Sequence, residues 1–177
     1  MFGTCTHLGR GADYRREIVT TVQQRPGGDF GPFRPLGSPP RSGASVLSDL
    51  SAPAPAVDGS GRLAVFVHGG DLRLYQIEQD AKGEWSGWSD LGGVGGYGAV
   101  GLCGPAIAGG GPDGTLGTTL IASGTPRWAT AQLLISGAPA GVRTGSDGFL
   151  TVLGLDAKLY WARASDADAP KWRLAPG

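Results

Sequence analysis

Histidine, cysteine and charge are scarce in this chain, and each scarcity removes a class of function. The only histidines are His7 and His68. A Ser-His-Asp arrangement would have to use His68, and no Gly-x-Ser-x-Gly elbow exists to supply its nucleophile. No His-Glu-x-x-His pair is present, so a zinc-protease site is excluded and no cofactor or metal is expected. His68 reads as an exposed turn residue. The two cysteines, Cys5 and Cys103, lie too far apart for a zinc cluster and are too few for a disulfide framework; they read as unpaired thiols. Charged residues make up 17% of the chain, 15 basic against 15 acidic, so the basic excess of a nucleic-acid binder is missing. No apolar run reaches the length of a membrane span. The start, MFGTCTHLGRGADYRRE, has no apolar core behind a basic head and is not a secretory signal.

Glycine is abundant. The 33 glycines and 13 prolines form about a quarter of the 177 residues, a level that can signal disorder. The 40% hydrophobic content and aromatics that recur at matching places argue instead for many turns between short strands. The glycine-rich runs at 92–98 and 109–112 are not followed by Lys-Ser/Thr or a helix pattern. They read as loops rather than phosphate cradles.

The chain is organised around GEWSGWSDLGG, residues 83–93, where Trp85 and Trp88 stand three apart. The preceding residues complete a module at 50–93: a short strand Ala54–Val57, a turn, the doubly apolar strand Arg62–His68, a second turn at Gly69-Gly70-Asp71, and the alternating strand Leu72–Gln79. A partial module at 13–37 aligns with it at a constant offset of 55, which sets Gln24 on Gln79, and Phe30 and Phe33 on Trp85 and Trp88. A degenerate module at 104–137 opens at Pro105–Ala108, with Leu116 matching Leu63, a strand at Leu120–Ala122, and Trp128 standing for one of the tryptophans. The last, 138–177, opens at Pro139–Val142. It matches Leu150 to Leu63, Leu159-Tyr160 to Leu74-Tyr75, and Trp172 to Trp85. Residues 1–12 fit no module and read as a disordered or remnant lead. Turn glycines Gly61, Gly114 and Gly148 are 53 and 34 residues apart, a mean of 43.5. That is the period of four-stranded propeller blades. The expected fold is all-β, with about three to four antiparallel blades of β-propeller type and almost no helix. The chain is expected to be a fragment of a longer propeller first, otherwise a compact four-blade ring or a protomer that completes its ring by self-association through its open blade edges.

The segment GRLAVFVHGGDLRLYQIEQDAKGEWSGWSDLGG resembles the blades of bacterial propeller lectins of the fucose-binding PLL type and of related tectonin-like propellers. Those blades carry DGRLxVF, then DGxLY, then Gly-Gly-x-Trp-Ser-x-Trp closing on Leu-Gly-Gly. The resemblance covers about three quarters of the chain. It implies a non-catalytic propeller that binds carbohydrate in grooves between blades and closes with about seven of them.

A sugar presents a C–H face to an aromatic ring and hydroxyls to planar donors and acceptors. The candidates are Trp85, Trp88, Phe30, Phe33 and Trp172, each read singly as inter-blade core before ligand platform. Tyr75, Gln76, Glu84 and Arg62 are the polar neighbours, which otherwise form a solvated blade surface. Trp88, with Tyr75 and Glu84, is the expected contact, and Trp85 the expected wedge between blades. Asp58, Asp71, Glu78 and Glu84 could pair as glycosidase carboxylates, but most sit in turns, and the Ser-x-Asp-x-Gly-x-Thr-Trp box of sialidase propellers is absent. The alternative to a lectin-like module is a protein-interaction or structural propeller domain, an accessory of a larger protein.

Overall fold

A computed structural model describes residues 1–8, 14–39, 52–57, 60–69, 71–92, 100–103, 106–110, 115–120, 128–131, 133–136, 138–144 and 147–176. Its strands form four antiparallel meanders that follow one another along the chain. The first blade has three strands, β1 (Phe2–Leu8), β2 (Tyr14–Thr20) and β3 (Arg34–Gly37). The second has four: β4 (Ala54–Val57), β5 (Leu63–His68), β6 (Leu74–Glu78) and β7 (Ser89–Gly92). The third is β8 (Gly101–Cys103), β9 (Ala106–Gly110), β10 (Leu116–Leu120) and β11 (Ala129–Ala131). The fourth is β12 (Ala140–Thr144), β13 (Asp147–Leu153), β14 (Leu159–Arg163) and β15 (Arg173–Leu174). Among the described residues the only helical piece is one 3-10 turn, Ala164–Asp166, and no helix is long and apolar enough to cross a membrane. The chain is all-β, an open stack of propeller-type blades.

Strand alternation explains the stacking, because successive side chains point to opposite faces. In the second blade, Val65, Val67, Tyr75 and Ile77 face one way and join Ile18 of the first blade in a buried cluster. Phe66 and Leu74 face the other way and meet Val100 and Ile107 beside the third blade. The third blade repeats the rule. Ile107 faces back, while Ala106, Ala108 and Leu116 face forward onto Leu150 and Val152 of the fourth. No blade buries both faces alone, so the cores lie in the seams.

The ladders correct several sequence expectations. Residues 2–8 are not a disordered lead but β1, paired over its whole length with β2. The alignment of the first two modules is not constant. The outer strands keep the offset of 55, since Arg34–Gly37 maps onto Ser89–Gly92. The preceding strands are offset by 56, with Ile18↔Gly37 and Thr20↔Arg34 matching Leu74↔Gly92 and Gln76↔Ser89. Both ladders break at the same place, between Ile18 and Val19 and between Leu74 and Tyr75. The isolated bridges Gln23↔Phe30 and Gln79↔Trp85 also correspond. Gln23, not Gln24, therefore matches Gln79, and the turn after it is one residue longer.

The third blade begins at Gly101, and Ala106–Gly110 is its second strand rather than its first. Leu116 pairs with Ala131 as Leu74 pairs with Gly92, so it matches Leu74 and not Leu63. In the fourth blade Val152↔Tyr160 matches Val67↔Tyr75, which puts Leu150 on Val65. His68 is no exposed turn residue. It ends β5 with 1% of its surface accessible, its ring against Gly109 of the third blade, where an added Cβ would lie 3.2 Å from Nε2. Of the strand expected at Leu120–Ala122, Leu120 is the last residue of β10, and Ile121 and Ala122 lie outside the described residues. Of the glycine-rich runs read as loops, Gly92 ends β7 and Gly109 and Gly110 end β9, because both strands carry their pairing into the glycines; residues 93–98, 111 and 112 lie outside the described residues, as do the turn residues Asp58-Gly59 and Asp113-Gly114.

Candidate functional site

One aromatic stands immediately before the outer strand of every blade: Phe33 before β3, Trp88 before β7, Trp128 before β11 and Trp172 before β15. Trp172 thus corresponds to Trp88, not to Trp85. The position has a mechanical role. The Trp88 indole N–H donates to the Leu36 carbonyl of the first blade at 3.0 Å. The Trp128 N–H donates to the Leu91 carbonyl of the second blade at 2.9 Å. Leu36 and Leu91 are equivalent residues, so the same bond ties two successive seams. In the last seam the ring is kept and the bond is not: Trp172 packs against the cluster of Ala106, Ala108, Leu116, Leu150, Val152, Ala164 and Ala167, and its buried N–H has no partner.

Trp85 and Trp88 both pack, half-buried, on the Ile18–Val65–Val67–Tyr75–Ile77 cluster. Sequence reasoning assigned the wedge to Trp85 and the ligand to Trp88; the structure gives both rings to the seam and spends the Trp88 N–H on it. Trp85 is held by its bridge to Gln79, whose side chain accepts from the Leu63 N–H and donates to the Gly83 carbonyl. The remaining candidates separate. Tyr75 is buried on the same face as the two indoles. Gln76 points to the opposite face of β6, where its amide donates to Glu78 at 2.8 Å. Glu84 is exposed in the hairpin between β6 and β7, its backbone N–H on Asp80. Arg62 is exposed just ahead of β5, at the end of the blade away from the Tyr75 hydroxyl.

That hydroxyl belongs to a second repeated device, which sequence reasoning saw only in part. The segments Gly69-Gly70-Asp71-Leu72-Arg73-Leu74-Tyr75 and Gly154-Leu155-Asp156-Ala157-Lys158-Leu159-Tyr160 share one pattern. Tyr75 donates to Asp71 at 2.7 Å and Tyr160 to Asp156 at 2.8 Å. Each aspartate also accepts the backbone N–H two residues on, from Arg73 or Lys158. The residue between, Leu72 or Ala157, is driven to φ 67° or 60°, strain that the aspartate cap holds in place. Glycine is required at the first position, because a Cβ at Gly69 would lie 2.7 Å from the Tyr75 ring and one at Gly154 would lie 2.9 Å from that of Tyr160. Burial first, then the bond to Asp71, pushes the Tyr75 hydroxyl up to about 12. In the exposed fourth-blade copy the bond to Asp156 raises Tyr160, and the same bond holds Asp156 below the usual carboxylate range.

The second blade adds an ion pair that the fourth lacks. Arg73 Nε meets Asp90 Oδ2 at 2.8 Å, with both side chains about half exposed. The Asp90 bond is also the main cause of a raised Arg73. Asp90 follows Trp88 by two residues and pairs with Tyr75, so the pleat returns it to the Trp88 face. Trp88, Asp90 and Arg73 therefore form a short row along the seam between the first and second blades. It offers an apolar ring, a carboxylate acceptor and a guanidinium donor. Arg73 and Asp90 were missed because their meaning depends on a ladder, not on a spacing. The sequence signal for the turn is the repeated Gly-x-Asp-x-Arg/Lys-Leu-Tyr, which extends beyond the shared Leu-Tyr. Among the described residues no group of three histidines, cysteines or carboxylates is placed to hold a metal. Asp90 in the row and Asp71 in the turn before Arg73 are both engaged as acceptors, the former also from the Gly92 N–H at 2.7 Å. No protein-family model and no curated protein matches the chain.

Proposed function

We propose that this chain is a non-catalytic, lectin-like carbohydrate-binding module, with its site on the seam between the first and second blades. The observation that carries this reading is the row of Trp88, Asp90 and Arg73. A half-buried indole whose N–H is already anchored is a rigid platform for a sugar's C–H face. An exposed, pre-paired carboxylate and guanidinium beside it can exchange part of their mutual bond for sugar hydroxyls. The resemblance of this blade to those of propeller lectins supports the same reading. Of the residues expected from sequence, Trp88 stays as the platform, while Trp85 and Tyr75 set its floor. Gln76, Glu84 and Arg62 lie away from the row.

A glycan array on the purified chain is the first test. Binding that free sugar competes away is the expected result, and silence at high protein concentration would turn the reading toward a protein-interaction module. Asp90→Asn then locates the site. It should weaken the selected sugar about tenfold, as loss of a charged hydrogen bond does. It should leave the thermal midpoint within about 2 °C, because an exposed ion pair contributes little to stability. Unchanged affinity would remove the site from this seam.

A further inference from the structure

The inter-blade seams are one interface used three times, and among the described residues each end of the stack leaves part of one half of it exposed. Blades of the second to fourth kind dock backwards with the aromatics before the outer strand. In the first blade these positions are Phe30 and Phe33, and they are 48% and 61% exposed. Blades receive the next one with the forward face of their second and third strands. In the second blade that face includes Leu74, which is 1% exposed; its counterpart in the fourth blade, Leu159, is 48% exposed. Leu153 pairs with Leu159 and is bare beside it. Trp161 lies on the same face with Phe149 edge-on at 5.4 Å and the Arg173 guanidinium 5.4 Å above its ring. Phe30 and Phe33 at one end of the stack and Leu153 and Leu159 at the other are thus exposed where a continued repeat would cover them.

We propose that two copies of this chain associate head to tail, the first blade of each docking on the fourth blade of the other, to close an eight-bladed ring. The occupant follows from continuity of the interface. The forward face of a fourth blade is built to receive a backward face, and the backward face left over is on the first blade of a like chain. Two copies satisfy both faces at once, and eight blades lie within the range in which propellers close. The contact is heterologous, yet a two-fold ring uses it twice and leaves no open end. This inference does not rest on the sugar reading, whose row of residues lies in an internal seam. The new seam differs from the internal ones at one point. Phe33 stands where Trp88 and Trp128 stand, and phenylalanine has no N–H to donate to the outer-strand carbonyl of the neighbouring blade. The association is thus weaker than the internal seams, and Phe33→Trp would supply the missing bond.

Sedimentation equilibrium of the full chain over a range of concentrations tests this. The expected result is a reversible species of twice the 18.0 kDa chain mass. Phe33→Asp and Leu159→Asp alter side chains that are exposed in the single chain, so both variants should keep the native thermal midpoint. Each should weaken self-association about thirtyfold or more, the scale of losing an apolar anchor at an interface. Mixed together, they retain one intact seam between them and should associate with each other more tightly than either does with itself. Phe33→Trp should tighten the dimer about three- to tenfold. A monomer at every concentration would overturn the proposal, leaving further blades of a longer protein as the occupant. Open polymers would also overturn it, and so would a dimer that either aspartate variant leaves intact.

Discussion

The first seam and the last are built on the same plan with different materials. Between the first and second blades the core is Ile18, Val65, Val67, Tyr75 and Ile77, and an indole N–H crosses to the neighbouring backbone. Between the third and fourth it is Ala106, Ala108, Leu116, Leu150, Val152, Ala164 and Ala167, with Trp172 in the equivalent place and its N–H unpaired. Volume is supplied in the first seam by branched side chains and in the last partly by close backbone approach. The repeat preserves an aromatic before the outer strand because every seam needs its area. It preserves the hydrogen bond to the neighbouring blade in the first two seams and not in the last. Packing is therefore the common property of the position, and the bond is an addition in two of the three seams.

The largest test of this contrast is cavity formation. Ile18→Ala should lower stability by about 2–5 kcal/mol, since the fully buried side chain leaves a void between two blades. Ala108→Gly, at a forward-facing site of the last seam, should cost about 1 kcal/mol through one methyl group and backbone freedom. Denaturant titrations of both variants would measure the difference. Equal losses would mean that the two seams are not filled in the different ways described.

Alkaline titration sharpens the comparison of the repeated tyrosine turns. Tyr75 has its ordinary value of 10.0 raised to about 12 in the fold, so its neutral form is the one the native state favours. The stability it contributes is fully present below pH 10 and is lost as pH rises through about 12. Tyr75→Phe should flatten this loss of stability while removing about 1 kcal/mol at neutral pH. Asp156 works in the opposite direction. Its lowered value contributes stability above the ordinary 3.8, lost as pH falls through the folded value. Because Asp156 is exposed, Asp156→Asn should change the acid limb only slightly. An alkaline limb unchanged in Tyr75→Phe would assign it to another group.

The repeat was legible in sequence wherever two side chains of the same kind recur in the same turn. Trp85-Ser86-Gly87-Trp88 against Phe30-Gly31-Pro32-Phe33 sets the two outer strands in correspondence, although the strands themselves begin only at Arg34 and Ser89 rather than at Phe30 and Trp85. The all-β class followed from these aromatics and the glycines between them. What failed to show was anything decided by pairing. β1 has no turn or aromatic signature of its own, and its strand character comes from the partner β2, as β structure commonly does. The third blade was misplaced because a Pro-Asp-Gly turn looks alike whether it follows the first strand or the second. His68 lies beside Gly69 and looked like a turn residue, but its side chain is on the face that Gly109 leaves open. The candidate site was half legible. Trp88 could be picked out, but whether its N–H pointed to solvent or to Leu36 depended on a blade 52 residues away.

The most direct test of the central claim, that the tryptophan before the outer strand of the second, third and fourth blades is first an inter-blade tie, is a paired equilibrium unfolding measurement on Trp88→Phe and Trp172→Phe. Both substitutions keep an aromatic ring and remove an indole N–H. In Trp88→Phe the Leu36 carbonyl loses its donor, and stability should fall by about 1 kcal/mol. In Trp172→Phe the group removed is a buried donor with no partner, so its desolvation cost is relieved and stability should hold or rise slightly, by up to about 1 kcal/mol. Opposite or clearly unequal responses are what the account predicts. A Trp88→Phe chain as stable as the parent, or an equal loss in both variants, would contradict it.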